Sequence, residues 1–159
     1  MPSRPTRADT LRVGLVSDTH GLLRPEVLEY LRGSDHIIHA GDICGEPVLE
    51  ALAQLAPLTV VKGNNDRGPW AQRLHATRTV RLGGIAIHVV HDLKELVLPP
   101  QARVVVCGHS HKPMVEERAG VLYVNPGSAG PRRFRLPVSA AELRIEDGRV
   151  SAHLTTFGD

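Results

Sequence analysis

Short polar clusters that follow apolar runs carry residue types suited to metal-dependent chemistry. They supply aspartate, asparagine and histidine, whose oxygen and nitrogen atoms bind Mn, Fe, Ni, Co or Zn. Each cluster follows a run that predicts a buried strand, so its side chains are expected at one edge of a sheet. One ion needs about four to six donors, and this set is large enough for two. The clusters are Asp18-Thr19-His20, Gly41-Asp42, Gly63-Asn64-Asn65-Asp66, His91-Asp92 and Gly108-His109-Ser110-His111.

Two clusters contain ligand types separated by one residue. Asp18 and His20 on an extended segment would point to the same side and reach one ion. His109 and His111 have the same spacing, and such a histidine pair after a strand is typical of a metal site. Gly41-Asp42 adds a carboxylate that can span two cations, together with a glycine that permits close approach.

Each cluster taken alone also has an ordinary structural explanation. Gly-Asp is common in plain turns, and residues 64–66 are equally consistent with an Asx-turn. A single strand-end histidine such as His91 is more often structural. The fixed order of five clusters, each after a predicted strand, favours metal binding over these separate explanations. Among the remaining histidines, only His39, three residues before Asp42, is placed to support a ligand.

The elements that position the clusters follow from hydrophobic periodicity. Strands predicted at 11–17, 36–39 and 58–62 alternate with amphipathic helices predicted at 24–31 and 46–55, each with a proline near its start. This β-α-β-α-β order predicts parallel strands joined by right-handed crossovers.

The second half of the chain changes to a hairpin pattern. Gly83-Gly84, Ala119-Gly120 and Asp147-Gly148 are two-residue turn signals between predicted strands. The three predicted strand pairs are 77–82 with 85–90, 114–118 with 121–125, and 141–146 with 149–156. A parallel half followed by antiparallel pairs predicts two sheets packed face to face with helices outside. We expect a single domain over residues 1–159, in which residues 1–10 form a flexible tail.

Composition and charge restrict the class of protein. The 159 residues are 42% apolar and 23% charged, which is typical of a water-soluble domain. The formal net charge of +2 is too small to require a nucleic-acid partner. No run approaches the roughly 18 apolar residues of a membrane span, and the first ten residues contain no secretory signal. With Cys44 and Cys107 interpreted as free thiols, we expect a cytoplasmic protein without a membrane partner.

Together the five clusters resemble the calcineurin-like metallophosphoesterase superfamily. Its pattern is Asp-x-His, Gly-Asp, Gly-Asn-His-Asp/Glu, a strand-end His and Gly-His-x-His, which this chain follows over about residues 13–111. The short length and the segment Tyr123-Val124-Asn125-Pro126-Gly127-Ser128, with Pro131-Arg132 after it, look like the small YfcE-type phosphodiesterase branch. The resemblance implies a four-layer αββα sandwich of two mixed β-sheets flanked by helices.

The resemblance also implies the cofactors and their ligands. It implies two divalent metal ions, with Mn favoured and Ni, Co, Fe or Zn as alternatives. One carboxylate would be shared between the two ions. The implied ligands are Asp18, His20, Asp42 and His111 for one ion, and Asp42, Asn64, His91 and His109 for the other.

Two positions depart from the superfamily pattern. Asn65 replaces a histidine that often donates a proton to the leaving oxygen; an asparagine can contact a phosphate oxygen but is not a general acid. Good leaving groups are therefore favoured. Asp92 stands where glycine is usual, and it is interpreted either as an acceptor that orients His91 or as a surface charge at the mouth of the site.

The leading hypothesis is a binuclear metal-dependent phosphoesterase, most of all a phosphodiesterase, acting on a small phosphate ester. A hydroxide that bridges the two ions would attack phosphorus. Histidines bind metal only when neutral, so activity is expected to fall below about pH 6–6.5.

Other interpretations stay open at this point. The alternative function is a non-catalytic metal-binding scaffold of the same fold that engages proteins, which is a Vps29-like role. A DNA nuclease is disfavoured by the modest charge. A homo-oligomer is compatible with the sequence. Arg132, Arg133 and Arg135 are interpreted either as phosphate-binding residues near the metal site or as solvated surface.

Overall fold

Two five-stranded β-sheets packed face to face form the centre of the structure, a computed structural model that describes residues 10–132 and 135–158. The helices are α1 (Pro25–Leu31) and α2 (Glu46–Ala53), with short 3-10 helices at Ala71–Arg73 and Leu93–Glu95. The strands are β1 (Thr10–Val16), β2 (His36–His39), β3 (Leu58–Val60), β4 (Thr77–Leu82), β5 (Ile85–Val90), β6 (Val104–Val106), β7 (Met114–Arg118), β8 (Val121–Asn125), β9 (Val138–Glu146) and β10 (Arg149–Phe157).

Both sheets mix parallel and antiparallel pairs. The first has the strand order β10-β9-β1-β2-β3, in which β1, β2 and β3 are parallel and β9 and β10 antiparallel. The second has the order β4-β5-β6-β8-β7, in which β5, β6 and β8 are parallel. Its edge strands β4 and β7 are the outer arms of the two predicted hairpins, whose bounds are confirmed.

Alternation along the strands divides their apolar side chains between two layers. In β1, Val13 and Leu15 enter the core between the sheets, whereas Val16 faces the helices. From the second sheet, Ile87 and Val104 enter the same core. The buried members of this core are Val, Ile, Leu and Ala, which agrees with the scarcity of aromatic residues in the sequence.

The two outer faces of the sandwich are covered unequally. Helices α1 and α2 each have a proline in the first turn, and they bury Leu31 and Leu52 against the first sheet. The opposite face is covered by the 3-10 helix Leu93–Glu95 and the chain after it, where Leu96 packs toward Val105. The four-layer arrangement is present, but its fourth layer is thin.

Several strand ends differ from their predicted positions. Strand β9 begins at Val138 rather than near residue 141, because Ser139 and Ala140 pair with β10 although they give little apolar signal. Strand β3 ends at Val60 instead of residue 62. Thr10 already belongs to β1, so the predicted tail is at most residues 1–9, which lie outside the described residues.

The described α-helices are short. The longer of the two α-helices, α2, has eight residues. Within the described ranges, no helix is long and apolar enough to cross a membrane.

Candidate metal centre

The polar clusters lie at the edge where the parallel strands of both sheets end. Strands β1, β2 and β3 of the first sheet and β5 and β6 of the second each lead into one cluster. Backbone hydrogen bonds join neighbouring clusters: Asp18 N–H donates to the Gly41 carbonyl at 2.9 Å, and Gly108 N–H donates to the His91 carbonyl at 2.9 Å. The structure thus brings the clusters together, as the strand-end rule predicts.

Five of the predicted ligands have left-handed backbone conformations. The φ angles are 54° for Asp18, 48° for His20, 61° for Asp42, 72° for His109 and 66° for His111. The expectation of an extended segment at Asp18 and His20 is therefore wrong. Each such residue without glycine's freedom costs about 1–2 kcal/mol, and strain of this kind concentrates at functional sites.

Asp18 is held so that one carboxylate oxygen is left for a cation. Its Oδ2 accepts hydrogen bonds from Ser17 Oγ at 2.7 Å and from His109 N–H at 3.1 Å. Its Oδ1 is fully buried and accepts no hydrogen bond from the described part of the chain. Instead, Oδ1 lies 3.5 Å from His111 Nε2 and 3.9 Å from His20 Nε2. A buried carboxylate oxygen in this position needs a positive charge nearby.

Asp42 lies between two sets of histidines. Its Oδ2 is 3.4 Å from His91 Nε2 and 3.7 Å from His20 Nε2. Asn65 fixes the carboxylate, because its backbone N–H donates to Oδ1 at 2.9 Å and its side-chain amide donates to Oδ2 at 3.0 Å. Burial disfavours the ionised form, but hydrogen bonds from His91 and Asn65 outweigh it and hold the pKa of Asp42 well below its usual range.

His91 presents one nitrogen to the same space. Its Nδ1 donates to the Ala40 carbonyl at 2.8 Å, so in the neutral ring Nε2 carries the lone pair. That lone pair faces Asn64 Oδ1 at 3.0 Å, and two acceptors at this distance need a proton or a cation between them. Desolvation opposes protonation, but Asp42 and Asp18 outweigh it and raise the pKa of His91 to about 8.

His109 and His111 separate instead of sharing one side. His111 is buried, and its ring centroid is 5.4 Å from that of His20. His109 is half-exposed, and its ring centroid is 5.2 Å from that of His91. Both residues have left-handed backbone, not the extended backbone that would place their side chains on one side. Asp92 Oδ2 lies 3.7 Å from His109 Nε2, whereas the groups that orient His91 come from other residues.

The donor atoms form two overlapping groups suited to cations. Asp18, His20 and His111 form one group, and Asp18, Asp42 and His91 form the other, with ligand atoms within 4.8 Å of one another in each. Asp18 is common to both groups, and Asp42 also reaches histidines of both. Mixed carboxylate and imidazole donors fit Mn, Fe, Co, Ni or Zn. All the predicted ligands lie in or beside these groups: Asp18, His20, Asp42, Asn64, His91, His109 and His111.

The other predicted site residues take different positions. Asn65 is exposed and donates one side-chain N–H to Asp42, so its predicted contact with phosphate depends on its remaining amide atoms. Arg132 and Arg135 are exposed on the segment after β8. Arg133 lies outside the described residues. A phosphate-binding role for these arginines stays a prediction.

Asp66 holds the site together, although sequence reasoning assigned it no role. Its carboxylate is buried and accepts three backbone N–H hydrogen bonds: from Asp42 at 2.9 Å, from Cys44 at 2.8 Å and from Gly63 at 2.8 Å. It therefore joins the loop after β2 to the loop after β3. The available signal is its place at the end of the Gly63–Asp66 cluster, where residues 64–66 are also consistent with an Asx-turn.

We expect Asp66→Asn to destabilise the metal-free protein by about 3 kcal/mol, because an amide cannot accept all three bonds and leaves buried donors unpaired. Urea unfolding in EDTA measures this change without any contribution from metal binding. The exposed substitution Glu117→Gln is the matched control and should leave the unfolding midpoint unchanged. Equal midpoints for both variants would contradict the role of Asp66.

His39 supports the loop that contains Asp42. It is fully buried, its Nδ1 accepts Gly41 N–H at 3.1 Å, and its Nε2 lies 3.0 Å from Thr19 Oγ1. Burial lowers the pKa of His39 to about 4, so the ring is neutral at physiological pH. Its Nε2–H then donates to Thr19, whose hydroxyl donates to the Ile43 carbonyl at 3.2 Å. His39 is thus the supporting histidine that its spacing to Asp42 suggested.

Both cysteines are free thiols, as expected. Cys44 Sγ lies 3.6 Å from His20 Nδ1, at the edge of the candidate centre. Burial, with the charges of Asp66 and Asp42, raises the pKa of Cys44 to about 11. Metals bind the thiolate, so coordination by Cys44 would require the loss of a tightly held proton.

The raised pKa of His91 predicts how the metal-free protein responds to pH. The folded state binds this proton more tightly than the unfolded chain, whose ordinary value is 6.5. The resulting stabilisation is complete below about pH 6.5 and is lost as pH rises through about 8. Metal affinity should rise over the same window, because a cation must displace the proton. The sequence predicts that metal binding weakens below about pH 6–6.5. For His91 this weakening is expected at a higher pH, because its pKa is about 8.

Urea unfolding in EDTA between pH 6.5 and 8.5 checks this expectation. The unfolding midpoint should fall with pH in the wild type and should be nearly flat in His91→Gln. The variant His153→Gln, at an exposed position on β10, is the control and should retain the wild-type slope. A wild-type midpoint that rises across this window would contradict the assigned proton.

Comparison with known proteins agrees with this arrangement. A sequence model described as a calcineurin-like phosphoesterase superfamily domain matches residues 11–148. A relative named "Probable metallophosphoesterase", from Methanothermobacter thermautotrophicus, is 33% identical over 160 residues, which cover 92% of this chain and 92% of the relative.

Two solved structures are similar to this fold. The phosphoesterase YfcE from E. coli has a TM-score of 0.69 and 23% identity, covering 93% of this chain and 100% of that chain. Vps29 from Entamoeba histolytica, in complex with zinc, has a TM-score of 0.70 and 22% identity, with the same coverage of 93% and 100%. At these identities the likeness is one of fold. Because the family match extends over most of the sequence, the chain belongs to the calcineurin-like phosphoesterase superfamily.

Proposed function

We propose that this chain is a metal-dependent phosphoesterase that holds two divalent cations and prefers small phosphodiesters. The observation that carries the proposal is the position of Asp42, whose Oδ2 lies within 3.7 Å of His20 and 3.4 Å of His91. A carboxylate that lies near two separate histidines can be shared by two neighbouring cations. The buried Asp18 Oδ1, which accepts no hydrogen bond from the described residues, adds a second oxygen at the same point.

Hydrogen bonds within the protein orient the candidate ligands before any substrate binds. When bound, two divalent cations lower the pKa of a water molecule toward neutrality and neutralise charge on the phosphoryl oxygens. Ser17 and the His109 backbone orient Asp18, Asn65 orients Asp42, and the Ala40 carbonyl selects the His91 tautomer that frees Nε2. Preorganised donors of this kind need no rearrangement during the reaction.

The chemistry of Asn65 affects which leaving groups the site can expel. One side-chain N–H is held by Asp42, and the other is available to a phosphoryl oxygen. An asparagine has no proton to give an alkoxide, so we expect a nitrophenyl leaving group to be expelled far faster than an alkyl one. Rates on 4-nitrophenyl methyl phosphate and dimethyl phosphate compare the two. General acid catalysis contributes typically about 10²–10⁴-fold, so similar rates on both esters would indicate another proton donor.

Metal reconstitution tests the proposed function directly. Protein treated with EDTA should not hydrolyse bis(4-nitrophenyl) phosphate, and the addition of Mn should restore more turnover than Ni, Co, Fe, Zn or Mg. Elemental analysis should find two ions per chain, and the diester should be cleaved faster than 4-nitrophenyl phosphate. Full turnover in EDTA, or a single bound ion in the active protein, would reject the proposal.

The alternative is a non-catalytic metal-binding scaffold of the same fold. The similarity to a zinc complex of Vps29 shows that a related fold binds metal, so metal binding by itself does not separate the two functions. Turnover does: two bound ions without hydrolysis of either nitrophenyl ester would favour the scaffold. The intact set of candidate ligands favours the enzyme.

A further inference from the structure

Two cavities of different size and chemistry border the candidate centre. The pair His109 and Asp92 borders both of them. The larger cavity has a volume of about 520 Å³, and the smaller has a volume of about 180 Å³. The larger cavity borders the candidate centre at His109, a predicted ligand that is part of its lining and whose ring centroid is 5.2 Å from that of His91.

The walls of the larger cavity are mainly apolar. Leu93, Cys107, Pro113 and Met114 form them, and the described lining contains no Phe, Tyr or Trp. Without an aromatic ring there is no platform for stacking a nucleobase. These side chains fit a flexible aliphatic group, and the volume falls within the range of about 300–1,000 Å³ that is usual for small-molecule sites.

The rim of the larger cavity is positively charged. Lys94 and Lys112 line it and are exposed, and neither forms an ion pair with any described residue. The acidic residue of the lining, Asp92, lies beside His109 instead. Two exposed lysines in a mainly apolar lining, with no ion-pair partner among the described residues, complement an anionic group on a ligand.

The smaller cavity offers different contacts. Lys62 and Glu95 contribute opposite charges to its lining, and Asn64 and His91 border it on the side of the metal ligands. Its volume of about 180 Å³ is sufficient for a short polar group only. A phosphodiester has two arms, and two unequal cavities beside one centre provide a place for each.

We propose that the larger cavity binds one ester arm of the substrate, and that this arm is an aliphatic chain ending in an anionic group. This inference rests on the proposed phosphodiesterase function and specifies its substrate class. The phosphoryl group lies at the metal ligands, the chain lies along Leu93 and Met114, and the terminal anion lies between Lys94 and Lys112. The smaller cavity takes the other arm.

Binding of non-hydrolysable phosphonates to the Mn-loaded protein tests the assignment without turnover. Calorimetry would compare methylphosphonate, hexylphosphonate and 6-phosphonohexanoate. Hexylphosphonate should bind about tenfold or more tightly than methylphosphonate, because several methylenes leave water. The terminal carboxylate of 6-phosphonohexanoate should add a further gain of about three- to fivefold from partly exposed charge pairs.

Two lysine variants separate the cavities. The double variant Lys94→Ala/Lys112→Ala should lose the gain from the carboxylate and keep the wild-type affinity for methylphosphonate. Lys62→Ala, at the smaller cavity, is the matched control and should keep the gain. Equal affinity for all three phosphonates would overturn the aliphatic assignment. Loss of the gain in Lys62→Ala, or its persistence in the double variant, would overturn the assignment of the anion to Lys94 and Lys112.

Turnover of 4-nitrophenyl methyl phosphate, measured on the same preparation, distinguishes the two proposals. Metal-dependent turnover without a gradient of phosphonate affinity rejects the cavity assignment alone. A gradient without turnover supports the assignment of the cavity and rejects the hydrolase.

Discussion

Asp42→Asn is expected to lower the hydrolysis of bis(4-nitrophenyl) phosphate by at least about 100-fold, the usual cost of losing one electrostatic group at a reacting centre. Asp42 is the carboxylate that approaches histidines of both groups, at 3.4 Å and 3.7 Å. An asparagine is neutral and offers one oxygen, so it cannot balance two cations. The number of bound ions should fall from two to one, measured by elemental analysis after gel filtration.

The variant should remain folded, which makes the loss interpretable. The amide oxygen at position 42 can still accept the Asn65 backbone N–H, and removing the carboxylate relieves its repulsion with Asp18 in the metal-free state. Asp147→Asn makes the same chemical change in the hairpin turn between β9 and β10, and its activity should equal that of the wild type. Wild-type turnover with two ions in Asp42→Asn would remove the basis of the proposed function.

Gly63→Ala is expected to destabilise the fold as well as the candidate metal centre. A Cβ at this position would lie 2.3 Å from the backbone nitrogen of Asp42 and 2.3 Å from its Oδ1. Backbone atoms cannot move aside as a flexible side chain can, so the loops after β2 and β3 must separate. We expect a loss of about 3 kcal/mol in the free energy of unfolding, comparable with severe overpacking, and a strong loss of metal affinity.

Unfolding of this variant in EDTA separates the steric effect from metal loss. Gly158→Ala adds the same methyl group in open space, with no heavy atom within 4 Å, and should leave the unfolding midpoint unchanged. Calorimetric titration with Mn then gives the metal affinity of each variant. A midpoint for Gly63→Ala equal to that of Gly158→Ala would show that the two loops are not packed as described.

The placement of the site could be predicted because it depends on a rule of sheet geometry. Apolar runs such as 104–106 end where polar clusters begin, and parallel strands end at a common edge. The positions of the hairpins could be predicted equally well from turn residues, since Gly83 and Gly84 adopt positive φ without steric cost. Both signals are local, so the sequence contains them in full.

The details of the site could not be predicted, because they depend on contacts between distant segments. The positive φ at Asp18 accompanies a hydrogen bond from its N–H to the Gly41 carbonyl of another loop, and local sequence gives no sign of it. Asp66 became recognisable as a support only when three backbone donors from two loops were seen around it. Asp92 lies against His109 rather than His91, which spacing alone does not distinguish.

The left-handed backbone of the five ligands has a consequence for how this architecture diversifies. Each of these side chains is retained against the local preference of the main chain, so glycine or asparagine at the same place would be more stable. A descendant that no longer bound metal would thus gain stability by losing these side chains, without any change to the two-sheet sandwich. Loss of the metal site would therefore stabilise the fold for use in another function, whereas regaining the site would cost stability.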